Sequence, residues 1–213
     1  MVKISPSILS ADFAKLGAEV EDIKNGGAEM AHIDVMDGMF VPNMSFAFPI
    51  ISSLRKVTDI FLDVHLMIEK PERYIERFID AGADLVTFHI EATDVPDECI
   101  KMIKNRGKKA AISIKPNTPA EEAFPYIEKC DMILVMTVEP GYGGQALIPE
   151  CLEKVRKIRA EADKLGIDID IQVDGGINER NASEAKLAGA NVLVAGSAVF
   201  KHADRKAAID ALR

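Results

Sequence analysis

Eight short apolar segments recur along the chain, and a helical segment separates each of them from the next. They are rich in valine and isoleucine, and several end at glycine, proline or an acidic residue, as parallel strands do. The apolar segments lie at residues 2–9, 29–36, 59–67, 84–90, 109–114, 131–138, 169–174 and 191–196. The clearest amphipathic segments between them are residues 11–25, 71–81 and 149–165. This alternation requires a largely parallel sheet covered by helices.

The alternation predicts one (β/α)8 barrel, the TIM-barrel fold, over residues 1–213. The rival fold is a doubly wound open sheet, which has a glycine-rich turn after its first strand. Residues 7–10, where the first strand ends, contain no glycine. At least five of the predicted strands end in polar residues. A barrel gathers these strand ends on one rim, whereas an open sheet would spread them apart. Pro71 and Pro119 suit first helical turns, and Asn178 suits a helix N-cap.

The composition excludes several classes of protein. The net charge of -8 argues against nucleic-acid binding, which needs a basic surface. The segment from Met1 to Phe13 has polar residues throughout and no long apolar stretch, so we expect no signal peptide. No apolar segment approaches the ~20 residues of a membrane span. Cys99, Cys130 and Cys151 form no metal or redox motif. An odd number of cysteines without a secretory signal predicts reduced thiols in the cytoplasm.

Histidine and aspartate alternate with apolar residues where two of the predicted strands end. Side chains two apart on a strand point to one face, so His32 and Asp34 share a face, as do Asp63 and His65. Asp174 ends a later strand. Two histidines and two aspartates can bind one divalent metal ion: zinc, iron(II), manganese or cobalt. The alternative is that these residues only bond one another, although burying so many ionisable groups is costly without a function.

Three glycine clusters follow late strands, at residues 141–145, 175–176 and 196–197. Glycines let backbone N–H groups approach an anion closely. In barrels, the loops after strands 7 and 8 and a short extra helix commonly hold a phosphate group. The clusters therefore predict a phosphate site, with ordinary tight turns as the alternative. The first cluster is the longest, and it can also act as a lid.

Together these motifs resemble the ribulose-phosphate 3-epimerase family over nearly the whole chain. The resemblance rests on the segments SPSILSAD at 5–12, HIDVMDG at 32–38, FVPN at 40–43, DVHLM at 63–67, MTVEPG at 136–141, VDGGIN at 173–178 and GSAVF at 196–200. It implies a cytosolic (β/α)8 enzyme of the ribulose-phosphate-binding type, with one divalent metal ion per chain. Such an enzyme interconverts D-ribulose 5-phosphate and D-xylulose 5-phosphate in the pentose phosphate and Calvin pathways.

The resemblance also implies a role for each matching residue. The metal ligands are His32, Asp34, His65 and Asp174, and Asp34 and Asp174 also move protons. The residues expected to contact the phosphorylated ketose are Ser7, Met36, His65, Met67, Met136, Gly141, Tyr142, Gly143, Gly144, Gly175, Gly176, Gly196 and Ser197. Members of the family commonly form dimers or hexamers, so we expect a homo-oligomer.

The chain departs from the usual family sequence at a few positions, none of them in the ligand set. Many members have histidine at Met39, glycine near Ala47 and phenylalanine at Tyr142. Ala47 and Phe48 follow the second strand and are expected near the sugar. These departures leave open the related allulose-6-phosphate 3-epimerase activity, for which the catalytic residues are the same.

Two further alternatives belong to other functional classes. Lys115 ends the fifth strand, where some barrels have a Schiff-base lysine, so a phosphosugar aldolase is possible. An aldolase of this kind would leave the histidines and aspartates of the predicted metal site without a role. A phosphosugar-binding protein with a purely structural metal is the second alternative. His89 and Glu91 end the fourth strand on one face and are expected to support the site, whereas His202 is expected at the surface.

Overall fold

Eight parallel strands form one sheet that curves into a barrel, in the order β1-β8-β7-β6-β5-β4-β3-β2. The structure is a computed structural model and describes residues 2–213, so Met1 of the predicted domain lies outside the described residues. The strands are β1 (Lys3–Pro6), β2 (Met30–Met36), β3 (Phe61–Met67), β4 (Leu85–His89), β5 (Lys109–Ile114), β6 (Met132–Met136), β7 (Asp170–Asp174) and β8 (Val192–Ala195). A parallel bridge between Ser7 and His32 joins the two edges. The predicted barrel is confirmed, and the doubly wound sheet is wrong.

Helices cover the outside of the barrel. The α-helices are α1 (Leu16–Asn25), α2 (Phe48–Arg55), α3 (Ile75–Ala81), α4 (Pro96–Asn105), α5 (Cys151–Leu165), α6 (Ala182–Leu187), α7 (Ser197–Phe200) and α8 (Arg205–Asp210). Within residues 2–213, no helix is both long enough and apolar enough to cross a membrane.

The connections differ from the expected regular alternation at two places. Between β5 and β6 the chain forms a 3₁₀ helix, Ala120–Tyr126, that contains Pro125. Proline has no backbone N–H to donate, which disfavours a regular α-helix there. The prediction of Asn178 as an N-cap is wrong, because α6 begins at Ala182. Asn178 instead accepts a hydrogen bond from the backbone N–H of Arg180, which makes a turn before the helix.

The barrel interior is apolar at one end and polar at the other. Its floor, at the amino ends of the strands, is a buried cluster of Met30, Leu85, Ala111, Met132 and Val192, with Phe61 packed against it. Polar and charged side chains follow toward the carboxyl ends. The strand faces that point outward pack against the helices in one continuous apolar core. The stability of the fold therefore comes mainly from the outer layer, while the inner layer holds the polar groups.

The pairing of β2 with β3 decides where those polar groups lie. The two strands are in register, with His32 opposite Asp63 and Asp34 opposite His65. Residues opposite each other on the inner face are close enough for their side chains to interact. The register thus places the histidines and aspartates of both motifs in one group inside the barrel.

We predict that the outer apolar layer dominates the free energy of unfolding. Leu62 on β3 is fully buried in that layer, so Leu62→Ala should destabilise the protein by about 2–5 kcal/mol. The same substitution at Leu187, which is 85% exposed, is the matched control and should change stability by about 0.5 kcal/mol or less. Urea unfolding of the two variants gives the comparison. Equal losses at both positions would contradict this description of the core.

Candidate metal and phosphate site

A cavity of about 390 Å³ opens at the carboxyl ends of the strands. Its lining includes all but one of the residues that the sequence predicts to contact a substrate. These are Ser7, Met36, Met67, Met136, Gly141, Tyr142, Gly143, Gly144, Gly175, Gly176, Gly196 and Ser197. The exception is His65, which is fully buried behind the lining. Asp34 and Asp174 also line the cavity, so the chain places both aspartates beside the space that a small molecule can fill.

The four side chains predicted as metal ligands form one cluster at the inner end of the cavity. One ligand atom from each of His32, Asp34, His65 and Asp174 lies within 4.8 Å of the others. His32 Nε2 lies 3.3 Å from Asp34 Oδ1 and 3.6 Å from Asp174 Oδ2. His65 Nδ1 lies 3.4 Å and 3.8 Å from the same two oxygens. Two nitrogens and two oxygens therefore face a common point.

A buried carboxylate orients His32. The ring nitrogen Nδ1 of His32 lies 2.7 Å from Asp63 Oδ2. Asp63 also accepts hydrogen bonds from Ser5 Oγ at 3.0 Å and from Gln172 Nε2 at 2.6 Å. When the ring is neutral and Nδ1 donates to Asp63, the lone pair of His32 is on Nε2, which points into the cluster. Sequence reasoning placed Asp63 beside the cluster but did not pair it with His32.

A second histidine lies behind His65. The Nε2 atoms of His65 and His89 are 3.0 Å apart, and His89 Nδ1 lies 3.3 Å from Glu91 Oε2. Burial lowers the pKa of His89 to about 4, so this ring is neutral near neutral pH. Burial opposes the ionisation of Glu91, but its bonds to His89 and to the Lys115 backbone bring its pKa down to about 2. His89 and Glu91 thus support His65, as the sequence suggested.

The electrostatics of the cluster favour a positive charge. Burial alone would lower the pKa of His32, but the carboxylates of Asp63 and Asp34 outweigh it and hold that pKa well above its usual value. Burial opposes the ionisation of Asp34, yet His32 and His65 hold the pKa of Asp34 well below its usual range. Asp34 and Asp63, whose pKa values are both lowered, are therefore ionised, and they stabilise a cation placed beside them.

The chemistry of the donor atoms fits one divalent metal ion. Within residues 2–213, neither His32 Nε2 nor His65 Nδ1 has a hydrogen-bond partner, although both atoms are buried. A buried nitrogen left unpaired is costly unless something else interacts with its lone pair. Imidazole nitrogens and carboxylate oxygens are ligands that zinc, iron(II), manganese and cobalt all accept. The cluster can hold any of these ions.

Neighbouring groups fix Asp34 and make the cavity wall apolar. Ser7 Oγ donates a hydrogen bond of 2.5 Å to Asp34 Oδ2, which leaves Oδ1 facing the histidines. Met36 and Met67 are buried and pack with Val41 on one side. Met136 is buried and packs with Leu134 and Val138 on another side. The polar cluster is thus surrounded by thioether and aliphatic groups that limit the access of water.

The backbone conformation directly after β7 requires glycine at two consecutive positions. Gly175 has φ +124° and Gly176 has φ +71°, which are conformations that L side chains rarely adopt. A Cβ atom at Gly176 would overlap the backbone of Leu147. A Cβ atom at Gly196, after β8, would lie 2.5 Å from Ser10 Oγ. The chain therefore turns closely against its neighbours on this side of the cavity, where the sequence predicts phosphate.

Two basic residues near these glycines were missed. Lys201 and His202 both line the cavity, and Lys201 lies one helical turn after Ser197 on α7. His202 is exposed, as expected, but it lies at the cavity edge. The spacing of Lys201 from Ser197 was the available signal.

The residues that depart from the family sequence lie mostly outside the cavity. Phe48 packs against Phe78 with ring centroids 4.5 Å apart, and Arg77 lies 4.0 Å over its ring. Neither Ala47 nor Phe48 lines the cavity. Met39 is 70% exposed and does not line the cavity either. Among the residues that depart from the family sequence, Tyr142 lines the cavity.

The sequence profile described as the ribulose-phosphate 3-epimerase family matches residues 3–200. A ribulose-phosphate 3-epimerase of Bacillus subtilis (strain 168) is 49% identical over 214 residues, which cover 100% of this chain and 99% of that protein. A ribulose-phosphate 3-epimerase of Oryza sativa subsp. japonica, named as a cytoplasmic isoform, is 47% identical over 215 residues, which cover 99% of this chain and 92% of that protein.

Solved structures of lower identity share the fold. A 3-hexulose-6-phosphate synthase aligns with a TM-score of 0.74 at 19% identity, covering 99% of this chain and 97% of the other. A thiamine phosphate pyrophosphorylase from Pyrococcus furiosus aligns with a TM-score of 0.66 at 20% identity, covering 100% and 94%. At these identities the similarity concerns the barrel alone.

We predict that the cluster binds one divalent metal ion per chain. Zinc added to metal-stripped protein at about 100 times its dissociation constant should stabilise the fold by about 2.7 kcal/mol, which thermal unfolding detects. His32→Ala should remove most of this effect, because it deletes one of the ligand nitrogens. His202→Ala removes an exposed histidine and should leave the stabilisation by zinc unchanged. Equal zinc stabilisation of the His32 variant and the wild type would contradict the assignment.

Proposed function

This chain belongs to the ribulose-phosphate 3-epimerase family, and we propose that it interconverts D-ribulose 5-phosphate and D-xylulose 5-phosphate through an enediolate, with Asp34 and Asp174 moving the proton. The observation that supports this most strongly is the position of the two aspartates. Both line the same cavity, and both lie in a cluster of donor atoms that can hold a metal ion. The Schiff-base aldolase considered for this chain gives no role to this cluster.

The reaction requires two acid/base groups. Epimerisation beside a ketone removes a proton from one face of the carbon and returns a proton to the other face. One group must begin as a carboxylate while the other carries a proton, and the reverse reaction exchanges these states. Two carboxylates close together satisfy this requirement, because their mutual coupling separates their affinities for the proton.

The side chains around Asp34 and Asp174 suit this task. Ser7 donates to Asp34 and holds one carboxylate oxygen in place. His32 and His65 lie between the two aspartates and would hold the metal ion together with them. A divalent metal ion, when bound, would supply positive charge that stabilises the developing negative charge on the substrate oxygens. Met36, Met67 and Met136 would exclude water from the reacting carbon.

The glycine side of the cavity would bind the phosphate. We propose that the backbone N–H groups of residues 175–176 and 196–197, with the loop at residues 141–144, recognise it by geometry. This suits a chain of net charge -8, in which a local site is more effective than a broad basic surface. Lys201 lines the cavity and adds positive charge, and His202 lies beside it. Binding energy gained at the phosphate positions the reacting carbon between the aspartates.

The alternatives have different support. Allulose-6-phosphate 3-epimerase activity needs the same aspartates, and it remains the alternative substrate specificity. The Schiff-base aldolase is disfavoured, because Lys115 does not line the cavity and its Nζ lies 3.7 Å over the ring of Phe40. A binding protein with a purely structural metal would use the two aspartates only as ligands and would show no turnover. Turnover of pentulose and hexulose phosphates by metal-analysed protein distinguishes all of these.

We also propose that the chain acts in the cytoplasm and forms a homo-oligomer, either a dimer or a hexamer. The rice relative is named as a cytoplasmic isoform. Cys99, Cys130 and Cys151 are free and buried, as suits a reducing compartment. The physiological metal and the oligomeric state stay predictions from the family resemblance.

We predict that Asp34→Asn and Asp174→Asn each reduce turnover by ~10²-fold or more, because an amide cannot exchange the proton. The metal content of each variant must be measured, since both residues are also proposed ligands. Asp168→Asn, at an exposed position before β7, is the control and should keep wild-type turnover. Near-normal turnover by a metal-loaded Asp174→Asn enzyme would falsify the assignment.

We predict that Gly196→Val raises KM strongly and lowers kcat for the phosphorylated ketose. Its side chain would crowd Ser10 and the proposed phosphate position. Unphosphorylated D-ribulose should be a very poor substrate, and the substitution should affect it much less, which separates phosphate binding from a general loss of structure. If D-ribulose turned over as well as its phosphate ester, a free-sugar epimerase would be the better hypothesis.

A further inference from the structure

A continuous hydrogen-bonded series links the metal cluster to Glu91. The series runs from His65 Nε2 to His89 Nε2 at 3.0 Å, and from His89 Nδ1 to Glu91 Oε2 at 3.3 Å. Both histidines are fully buried, whereas Glu91 lies at the surface with 22% of its side chain exposed. We call Glu91, His89 and His65 the relay. None of the steps proposed for the epimerisation uses His89 or Glu91.

The orientation of His65 decides which nitrogen must have a free lone pair. Its Nδ1 atom lies 3.4 Å from Asp34 Oδ1 and 3.8 Å from Asp174 Oδ2, on the side where a metal ion would bind. A neutral imidazole has one protonated and one unprotonated nitrogen. A metal ion needs the unprotonated one, so the proton of His65 must be on Nε2.

The rest of the relay then has one consistent arrangement of protons. If His65 donates from Nε2, His89 must accept at Nε2, and its own proton is on Nδ1. That proton faces Glu91, which as a carboxylate can only accept. The other oxygen of Glu91, Oε1, accepts from the backbone N–H of Lys115 at 2.7 Å and from the hydroxyl of Thr118. Glu91 is therefore held at the outer end of the relay as its fixed acceptor.

We propose that Glu91 and His89 are positioning residues that fix the tautomer of His65, so that the lone pair of Nδ1 is directed at the metal ion. This inference rests on the proposed metal centre and assigns these two residues a role in building it. His32 is held directly by Asp63, whereas His65 is held by a carboxylate that acts through a second imidazole.

The surroundings of His89 protect its ring from water. The ring of Phe40 packs on His89 with centroids 4.8 Å apart, and Lys115 Nζ lies 3.7 Å over that ring. A water molecule at His89 could donate or accept and would allow either tautomer. Phe40 and Lys115 cover this position, which leaves Glu91 as the group that determines the direction of the protons.

Glu91→Gln should reverse the relay. The Lys115 N–H can only donate, so the carbonyl oxygen of the glutamine would stay beside it and the amide NH₂ group would face His89. His89 would then accept at Nδ1 and donate from Nε2. His65 would have to accept at Nε2, and its proton would move to Nδ1, where it blocks the metal ion. Glu69→Gln makes the same change at an exposed position after β3 and is the matched control.

Two substitutions at His89 test separately whether zinc binding depends on the hydrogen bond to His65 or on the volume of the His89 ring. A glutamine at residue 89 can present an acceptor near the position of Nε2, so His89→Gln should bind zinc nearly as tightly as the wild type. A phenylalanine fills the space but accepts no hydrogen bond. His89→Phe should weaken zinc binding by ~10–100-fold, the usual effect of losing a group that orients a metal ligand.

The test is ¹⁵N NMR of histidine-labelled, metal-free protein, combined with zinc titration against a chromogenic chelator. The His65 signals are identified by their loss in His65→Asn. We expect the proton on Nε2 in the wild type and in Glu69→Gln, and on Nδ1 in Glu91→Gln. Zinc affinity should fall by ~10–100-fold in Glu91→Gln and stay unchanged in Glu69→Gln.

The proposal is overturned if His65 keeps its proton on the same nitrogen in Glu91→Gln as in the wild type, or if the zinc affinities of the two proteins are equal. The NMR measurement needs neither metal nor turnover, so it is separate from the test of the proposed function. If the tautomer changed as expected but the wild type bound no zinc, the relay would be supported and the metal centre of the proposed function would be wrong.

Discussion

The in-register pairing of β2 and β3 determines most of what this molecule can do. It places two imidazoles and two carboxylates, those of His32, Asp34, Asp63 and His65, inside a barrel where at most 4% of each residue is exposed. Burying charges is costly unless each is paired and hydrogen-bonded. The chain meets this cost with charge pairs and polar neighbours, and an apolar floor and outer layer supply the stability that the polar interior does not. A slip of one residue in either strand would turn the motif of that strand toward the helices.

Much of this arrangement could be predicted from the sequence, because the relevant signals are local. Short Val- and Ile-rich segments predicted all eight strands, with ends within a few residues of those observed. Alternation along a strand fixed which side chains share a face, so the grouping of His32, Asp34 and His65 followed once a barrel was chosen. Asp174 could be added because the carboxyl ends of parallel strands meet at one rim. The glycine clusters could be placed at the same rim, because they too follow the carboxyl ends of parallel strands.

The rest depends on distances that no local pattern contains. The sequence placed Asp63 and His89 near the cluster, but only the packing shows that one bonds to His32 and the other to His65. Ala47 and Phe48 follow β2 closely in sequence, yet α2 turns Phe48 away against Phe78. Pro125 was visible in the sequence, and its effect on the segment between β5 and β6 could have been anticipated from its missing N–H.

The end of β7 joins the two halves of the proposed site. Asp174, proposed to move a proton, is followed directly by Gly175 and Gly176, proposed to bind phosphate. The Thr137 backbone N–H donates to Asp174 O at 2.7 Å, and the Thr137 hydroxyl donates to Gly175 O at 2.6 Å, so the residue directly after the neighbouring strand β6 holds this turn. The distance from the reacting carbon to the phosphate is then set by the backbone of consecutive residues. In the proposed mechanism, phosphate binding therefore orients the substrate against Asp174 without any movement of the barrel.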